Sequence, residues 1–392
     1  MPDERANPKS PGSFQPSPPA RPGLHLKYVD GFRGLAALYV VLDHAWLQTV
    51  TVSPAGPLPQ WAQLAEMLLD YGKFAVTFFI AISGFCLMLP VVRNEGSLGA
   101  GGGKRFFVRR ARRILPPYYA TLVLSIMLVV GFITNRSHNP YEVALPTTAA
   151  GILSHIFLVH NLHALTITQI NPPLWSIAVE CQIYLLFPFL IEVRRRYGML
   201  VVLAGTYVAA FTLESMIEGT PYVGLLPLFL FVFALGMFAA EEALGPRKKI
   251  YIWLGCAMTG VMAVMLLTPR LRDLALVEAV VGIVAMCGLI VCGQWPGNPL
   301  ARVATWPPIA GIGIFSYSLY LIHFPLQEVL WQHLILPLGL GRGAGFALIG
   351  GVGTALILLL AYGFYWVFER PFCNQASRVN AEQALPSARF AQ

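Results

Sequence analysis

The chain has 392 residues, 56% of them apolar and only 12% charged, with a net charge of +8. That charged share is about half the roughly 25% of an ordinary soluble domain, and the mean hydropathy is +0.63. These figures exclude a disordered protein, a nucleic-acid binder and a typical cytosolic enzyme. They predict an all-α polytopic membrane protein with about ten transmembrane helices of about 20 residues each.

Residues 1–27 are rich in Pro, Ser and Arg and lack an apolar h-region, so they read as a disordered cytoplasmic tail rather than a signal peptide. The apolar runs that follow place spans at 34–50, 74–92, 114–134, 174–193, 198–214, 222–240, 250–268, 274–293, 308–330 and 344–368. A membrane domain covers 28–372, and 373–392 forms a second short cytoplasmic tail. The segment 148–162 is apolar but short, and it contains His155 and His160. Counting it as a span would move Arg194, Arg195 and Arg196 outside, against the positive-inside rule. It is therefore expected as an interfacial or re-entrant helix in an outer loop, 135–173, where irregular backbone has to line a protein cavity. With this topology both termini are cytoplasmic. Of 27 Lys and Arg, only Lys73, Arg136, Arg270, Arg272 and Arg342 fall outside. All cysteines but Cys373 lie in apolar runs without paired spacing, so neither a disulfide framework nor a metal site is expected.

Ionisable groups at bilayer depth cost at least ~2.5–3.5 kcal/mol on insertion scales, so each marks a functional-site hypothesis. The first span carries Arg33 at its cytoplasmic end and Asp43-His44 near its middle. Arg33 and His44 share a helix face, about 20° from a whole number of turns and about 16 Å apart along the axis. Asp43, one position round, is expected to point elsewhere. The fourth span opens with Asn171-Pro172-Pro173, a helix start, and continues with Ser176, Glu180 and Tyr184 on one polar stripe. The ninth contains Ser316, Tyr320 and His323 on one face, with Pro325 expected to kink the helix beside His323. Packing with satisfied hydrogen bonds is the plain alternative for each stripe. The loop 93–113 holds Arg93, Lys104, Arg105, Arg109, Arg110, Arg112 and Arg113 against one acid, Glu95. Topology and attraction to anionic lipid are the plain reading of that excess. A seat for a phosphorylated cytoplasmic ligand is the sharper alternative. No Walker A loop, Rossmann glycine motif, Gly-x-Ser-x-Gly elbow or His-Glu-x-x-His is present. Chemistry therefore rests on intramembrane His, Glu, Asp and Tyr. A proton-coupled transporter or flippase would use the same residue types, although no internal repeat of the transporter kind is visible. A scaffold or assembly subunit is disfavoured by so many buried ionisable groups.

Four blocks together resemble the acyltransferase family 3 membrane proteins from about residue 26 to 372. They are Asp30-Gly31-Phe32-Arg33-Gly34 with His44, an Arg-x10-His pattern; 78–85; Arg112-Arg113-Ile114-Leu115-Pro116-Pro117-Tyr118 followed by 174–180; and 316–325 followed by Glu369-Arg370-Pro371. The resemblance implies a ten-helix fold in a bacterial inner membrane. It implies transfer of an acyl group, most often acetyl, from cytoplasmic acyl-CoA to a hydroxyl of an envelope glycan, a lipid-linked saccharide or a glycoside. Carried over residue by residue, His44 is the catalytic residue and Arg33 its companion. Arg105, Arg109, Arg110, Arg112 and Arg113 contact coenzyme A, while Glu180, Tyr320 and His323 match further characteristic positions. Cys181 and Asp43 depart from the family pattern. Only about 20 residues follow Pro371, so the extracytoplasmic hydrolase-like domain of some members is expected to be absent. In the mechanism expected here, neutral His44 acts as general base, with a covalent acyl-histidine as the alternative. Glu180 or Asp43 fixes its tautomer, Tyr320 or Ser176 donates to the oxyanion, and no metal takes part.

Overall fold

The computed structural model describes residues 26–50, 60–99, 101–133, 145, 147–222, 224, 226–268, 270–271 and 276–373. The expected tails, apart from residues 26, 27 and 373, lie outside the described residues, as do Arg136 and Arg272. Among the described residues every regular element is helical: α1 (Lys27–Val50), α2 (Gln60–Leu69), α3 (Gly72–Arg93), α4 (Gly102–Gly131), α5 (Ala149–Ile156), α6 (Trp175–Tyr197), α7 (Met199–Ile217), α8 (Leu228–Ala243), α9 (Ile250–Leu267), α10 (Leu276–Gln294), α11 (Pro299–Ala304), α12 (Pro307–Ile314), α13 (Ser316–Leu330), α14 (Arg342–Ala347) and α15 (Thr354–Phe364). Wider π-helical turns at Trp331–Ile335, Leu348–Gly353 and Tyr365–Glu369 extend α13, join α14 to α15 and carry the last run on to Cys373.

Seven runs among the described residues are long and apolar enough to cross a bilayer, or eight if the bent pair α12–α13 is one broken span. Two expected spans lie outside that set for different reasons. The polar load of α1 includes Asp30, Arg33 and Asp43, and α8 has only 16 residues. Two expectations need correction. The ninth span is not one helix, because α12 and α13 meet at 77° and the break falls at Phe315. Pro325 sits inside α13, which continues to Leu330. The arginines after residue 103 are not in a loop, because α4 begins at Gly102 and carries them on its first turns. Arg and Lys are good helix formers, and one side of a helix can face water while the other packs. The short segment near 148–162 is α5, capped by the Thr148 side chain accepting from Gly151 N, followed by a turn at His160–Leu162.

Lipid tails are as apolar as leucine, so close backbone packing and hydrogen bonding, rather than apolar burial, bring membrane helices together. Two seams show this. A Cβ on Gly34 would collide with the Ile309 carbonyl, and one on Gly313 with that of Asp30, so α1 and α12 touch backbone to backbone. The pair α3 and α8 does the same through Gly84 and Gly236. Phe85, Phe187 and Phe233 fill the space beside that second seam and are fully buried. By contrast α9 buries little beyond Tyr251 and Met265, and α7 is mostly exposed, as lipid-facing helices are. The centre of the molecule is therefore α1, flanked by α3, α12 and α13.

Candidate active site

His44 projects from the middle of α1 and His323 from the second turn of α13. Their rings are coplanar within 2°, with His44 Nδ1 and His323 Nε2 2.7 Å apart. The other ring nitrogen of His323, Nδ1, lies 2.7 Å from the Tyr320 carbonyl and 3.2 Å from that of Leu319. A carbonyl only accepts, so Nδ1 of His323 carries a hydrogen and donates it. In the neutral ring Nε2 is then the acceptor, and the hydrogen shared with His44 belongs to His44 Nδ1. That leaves the lone pair of His44 on Nε2. A backbone carbonyl thus sets the tautomers of two rings in series. His323 is fully buried, whereas His44 keeps 20% of its side chain accessible. Phe324 packs edge-on against the His44 ring, centroids 5.0 Å apart.

The hydrogen-bond partner of His44 Nδ1 is thus His323, where Glu180 or Asp43 was the expected partner of the ring. Asp43 is nearer than its place on the helix suggested. Its Oδ2 lies 3.8 Å from His44 Nε2, too far for a hydrogen bond. Its Oδ1 accepts from Gly72 N at 3.3 Å, at the positive end of α3. A Cβ on Gly72 would crowd that carboxylate. Glu180 belongs to a separate cluster, in which its Oε1 accepts from Ser83 Oγ at 2.6 Å and from the Tyr184 hydroxyl.

A cavity of about 90 Å³ lies near this pair, on the side toward Arg33. Arg33, Arg110, Arg113 and Glu369 line it together with Ser176, Glu180, Tyr184 and Tyr320. The expected polar stripes of α6 and α13 thus converge on one space, and Arg33 faces it too, whereas His44 and His323 stand beyond its lining. Tyr320 links the two regions, its ring centroid 5.7 Å from that of His323. The Tyr320 hydroxyl lies 2.7 Å from Ser176 Oγ, and both are 3.1 Å from the Pro173 carbonyl. Their hydrogens are occupied within this triangle, so an oxyanion donor becomes available when one hydroxyl turns away from Pro173. The arginine cluster divides. Arg110 and Arg113 face the cavity, while Arg109 and Arg112 are exposed and Arg105 is half-buried outside the lining. Arg110 Nε is buried without a partner, a donor in want of an acceptor.

Three contributors escaped the sequence reading. Ser83 lies within the 78–85 block that carries the resemblance, but nothing local marks its hydroxyl as the partner of Glu180. Glu369, 2% exposed, accepts from Ser318 N at 3.2 Å and Ser318 Oγ at 2.5 Å. It caps the new N-terminus that the break before α13 creates, and its only signal was the 369–371 motif. Asn171, noted only as part of a helix start, is fully buried between α4 and α13. Among the described residues no group of three or more His, Cys, Asp or Glu is placed to hold a metal ion.

A Bacillus subtilis protein named provisionally as the peptidoglycan O-acetyltransferase YrhL is 22% identical, over 90% of this chain and 56% of its own length. The peptidoglycan O-acetyltransferase OatA of Listeria monocytogenes is 23% identical, over 76% of this chain and 49% of its own. A Staphylococcus aureus protein named provisionally as an O-acetyltransferase is 23% identical, over 90% and 57%. The chain spans about half the length of the curated relatives it matches. No solved structure matches. The family model described as an acyltransferase domain matches residues 26–366, nearly the whole helical bundle that holds the histidine pair and the arginine-lined cavity, and the chain belongs to that family, acyltransferase family 3.

Proposed function

We propose that this protein is a multi-pass O-acyltransferase of the bacterial cell membrane, with α1 and α8 completing a bundle of about ten spans and both termini in the cytoplasm. It moves an acyl group, acetyl first among the candidates, from cytoplasmic acyl-CoA to a sugar hydroxyl. The names of the relatives support an envelope glycan as the acceptor class. A lipid-linked saccharide or a glycosylated small molecule offers the same hydroxyl chemistry.

The observation that carries this reading is the histidine pair, because it leaves a lone pair on His44 Nε2 at an accessible ring. In the proposed reaction His44 Nε2 takes the proton from the acceptor hydroxyl as its oxygen attacks the thioester carbonyl. The new C–O bond forms, charge collects on the carbonyl oxygen, and Tyr320 or Ser176 donates to it. The C–S bond then breaks, and the coenzyme A thiolate recovers the proton from the His44 imidazolium. Asp43, 3.8 Å away, stabilises that imidazolium while it lasts. On the donor side, Arg110 and Arg113 at the cavity, with Arg105, Arg109 and Arg112 on the same helix outside its lining, pair with the phosphates of coenzyme A. The acyl-pantetheine arm runs past Arg33 toward His44.

Product analysis tests the assignment. Protein in nanodiscs, given labelled acetyl-CoA and peptidoglycan fragments, should yield a sugar ester and free coenzyme A in equal amounts. Relocated substrate without ester would replace this reading with that of a carrier.

A further inference from the structure

We infer that Asn171 is a positioning residue for His323, and through it for His44, because it supplies the hydrogen that Pro325 denies to the Leu321 carbonyl. The catalytic consequence rests on the acyl-transfer reading of His44, while the hydrogen-bond argument stands on geometry alone.

Within α13 the Leu321 carbonyl would normally accept from the backbone N–H four residues on. That residue is Pro325, which has no N–H and whose ring crowds the same carbonyl. A proline in this place ordinarily kinks or breaks a helix, yet α13 runs on from Ser316 to Leu330. The orphaned oxygen is taken up from outside the helix, where Asn171 Nδ2 donates to it at 3.0 Å. The same amide group donates to Ser125 Oγ of α4 at 3.1 Å, and Asn171 is fully buried. One side chain from the turn that opens α6 thus ties α4 to α13.

What makes this tie relevant to the site is its register. The Tyr320 carbonyl fixes the His323 ring at 2.7 Å, and the very next carbonyl, Leu321, is the one that Asn171 holds. Tilting the Leu321 peptide tilts its neighbour, and with it the acceptor that sets the tautomer of His323 and then of His44. The turn carrying Asn171 also contributes the Pro173 carbonyl that holds Tyr320 and Ser176. Relative placement of the base and the hydroxyl pair therefore passes through one short segment. The residue type matters as well: an ionised Asp would set acceptor against acceptor, and Leu would fill the space with no donor.

A double-mutant design isolates the effect. Asn171→Leu removes the donor, and Pro325→Ala restores a backbone N–H at the position from which an ordinary helix satisfies Leu321. Each variant and their combination are placed in nanodiscs and read in two ways. The first is the ¹⁵N spectrum of labelled histidines, with His44 and His323 signals assigned through His44→Gln and His323→Gln. The second is acetyl transfer from labelled acetyl-CoA to peptidoglycan fragments. Asn171→Leu should disturb both histidine signals and lower kcat about 10- to 100-fold, with KM for acetyl-CoA within about threefold. Adding Pro325→Ala should return signals and kcat toward the parent, and should also recover accumulation of the protein if Asn171→Leu alone folds poorly. The inference is overturned if Asn171→Leu leaves signals and kcat unchanged, or if the double variant is no better than Asn171→Leu in any of these readouts. Histidine signals that follow the expected pattern in a protein without transfer activity would support the hydrogen-bond assignment and reject the acyl-transfer reading.

Discussion

Replacing His323 by Phe removes the acceptor for His44 Nδ1–H but keeps a planar ring in the space. The lost contact is a 2.7 Å hydrogen bond to a fully buried ring. Stranding a buried N–H costs about 1–3 kcal/mol. The His44 ring is then also free to move its hydrogen to Nε2, the nitrogen needed as base. If that cost falls on the transition state, kcat drops about 5- to 150-fold. KM for acetyl-CoA should hardly move, since His323 does not line the arginine cavity. His323→Gln is the informative partner, because its amide oxygen can accept from His44 Nδ1 where Nε2 did. It should retain activity within about threefold of the parent. Steady-state acetyl transfer at varied acetyl-CoA separates kcat from KM for both variants. A Phe variant within twofold of the parent, or Gln and Phe variants equally impaired, would refute the tautomer argument.

Other parts of the account are open to direct checks. Gly34→Ala or Gly313→Ala drives a Cβ into a facing backbone carbonyl and should destabilise the bundle by about 1–3 kcal/mol, read as a lower melting temperature in nanodiscs; an unchanged value would contradict the backbone-to-backbone seam. Arg110→Ala and Arg113→Ala, at the cavity, should weaken acetyl-CoA binding about 10-fold or more each. The exposed Arg109 and Arg112 should cost no more than about fivefold each, and calorimetric titration that found the two pairs equal would remove the cavity's part in donor binding. In and just after α5, His155 and His160 stack with centroids 3.7 Å apart. Burial pushes their pKa values down to about 4 and about 3. The unfolded chain takes up protons near pH 6.5, before the folded one does. Stability should therefore fall as pH drops from about 6.5 to 4, by up to about 1.4 kcal/mol per histidine per pH unit. Melting curves across this range should show that loss in the parent but not in the His155→Phe/His160→Phe double variant; equal acid sensitivity would show that the pair titrates elsewhere.

What the sequence made legible is what repeats along a single helix. The Ser176, Glu180 and Tyr184 stripe and the Ser316–Tyr320 pair are set by 3.6-residue periodicity, and all of them reach the cavity. The His44–His323 bond joins residues 279 apart, and no spacing rule on either helix contains it. Asp43 shows the limit of the face rule. Its Cβ does leave on another side, yet a short side chain held by Gly72 N still brings its carboxylate to 3.8 Å from the ring of its neighbour. The break at Phe315 was hidden because Pro325 is the conspicuous helix breaker, whereas its missing hydrogen bond is replaced through Asn171. The true bend instead follows a glycine pair, Gly311 and Gly313, the second of which is pressed against α1. The onset of α4 was obscured by the glycines at 99–103, although the arginines beyond them favour a helix.

The central claim is that His44 is the base in transfer of an acyl group from coenzyme A to a sugar hydroxyl. Its most direct test is the turnover of His44→Ala in nanodiscs with labelled acetyl-CoA and peptidoglycan fragments, alongside a melting curve and an acetyl-CoA titration. The account predicts parent-like melting and donor binding with ester formation reduced about 10²- to 10⁴-fold. Near-parent ester formation by the folded His44→Ala protein would contradict it.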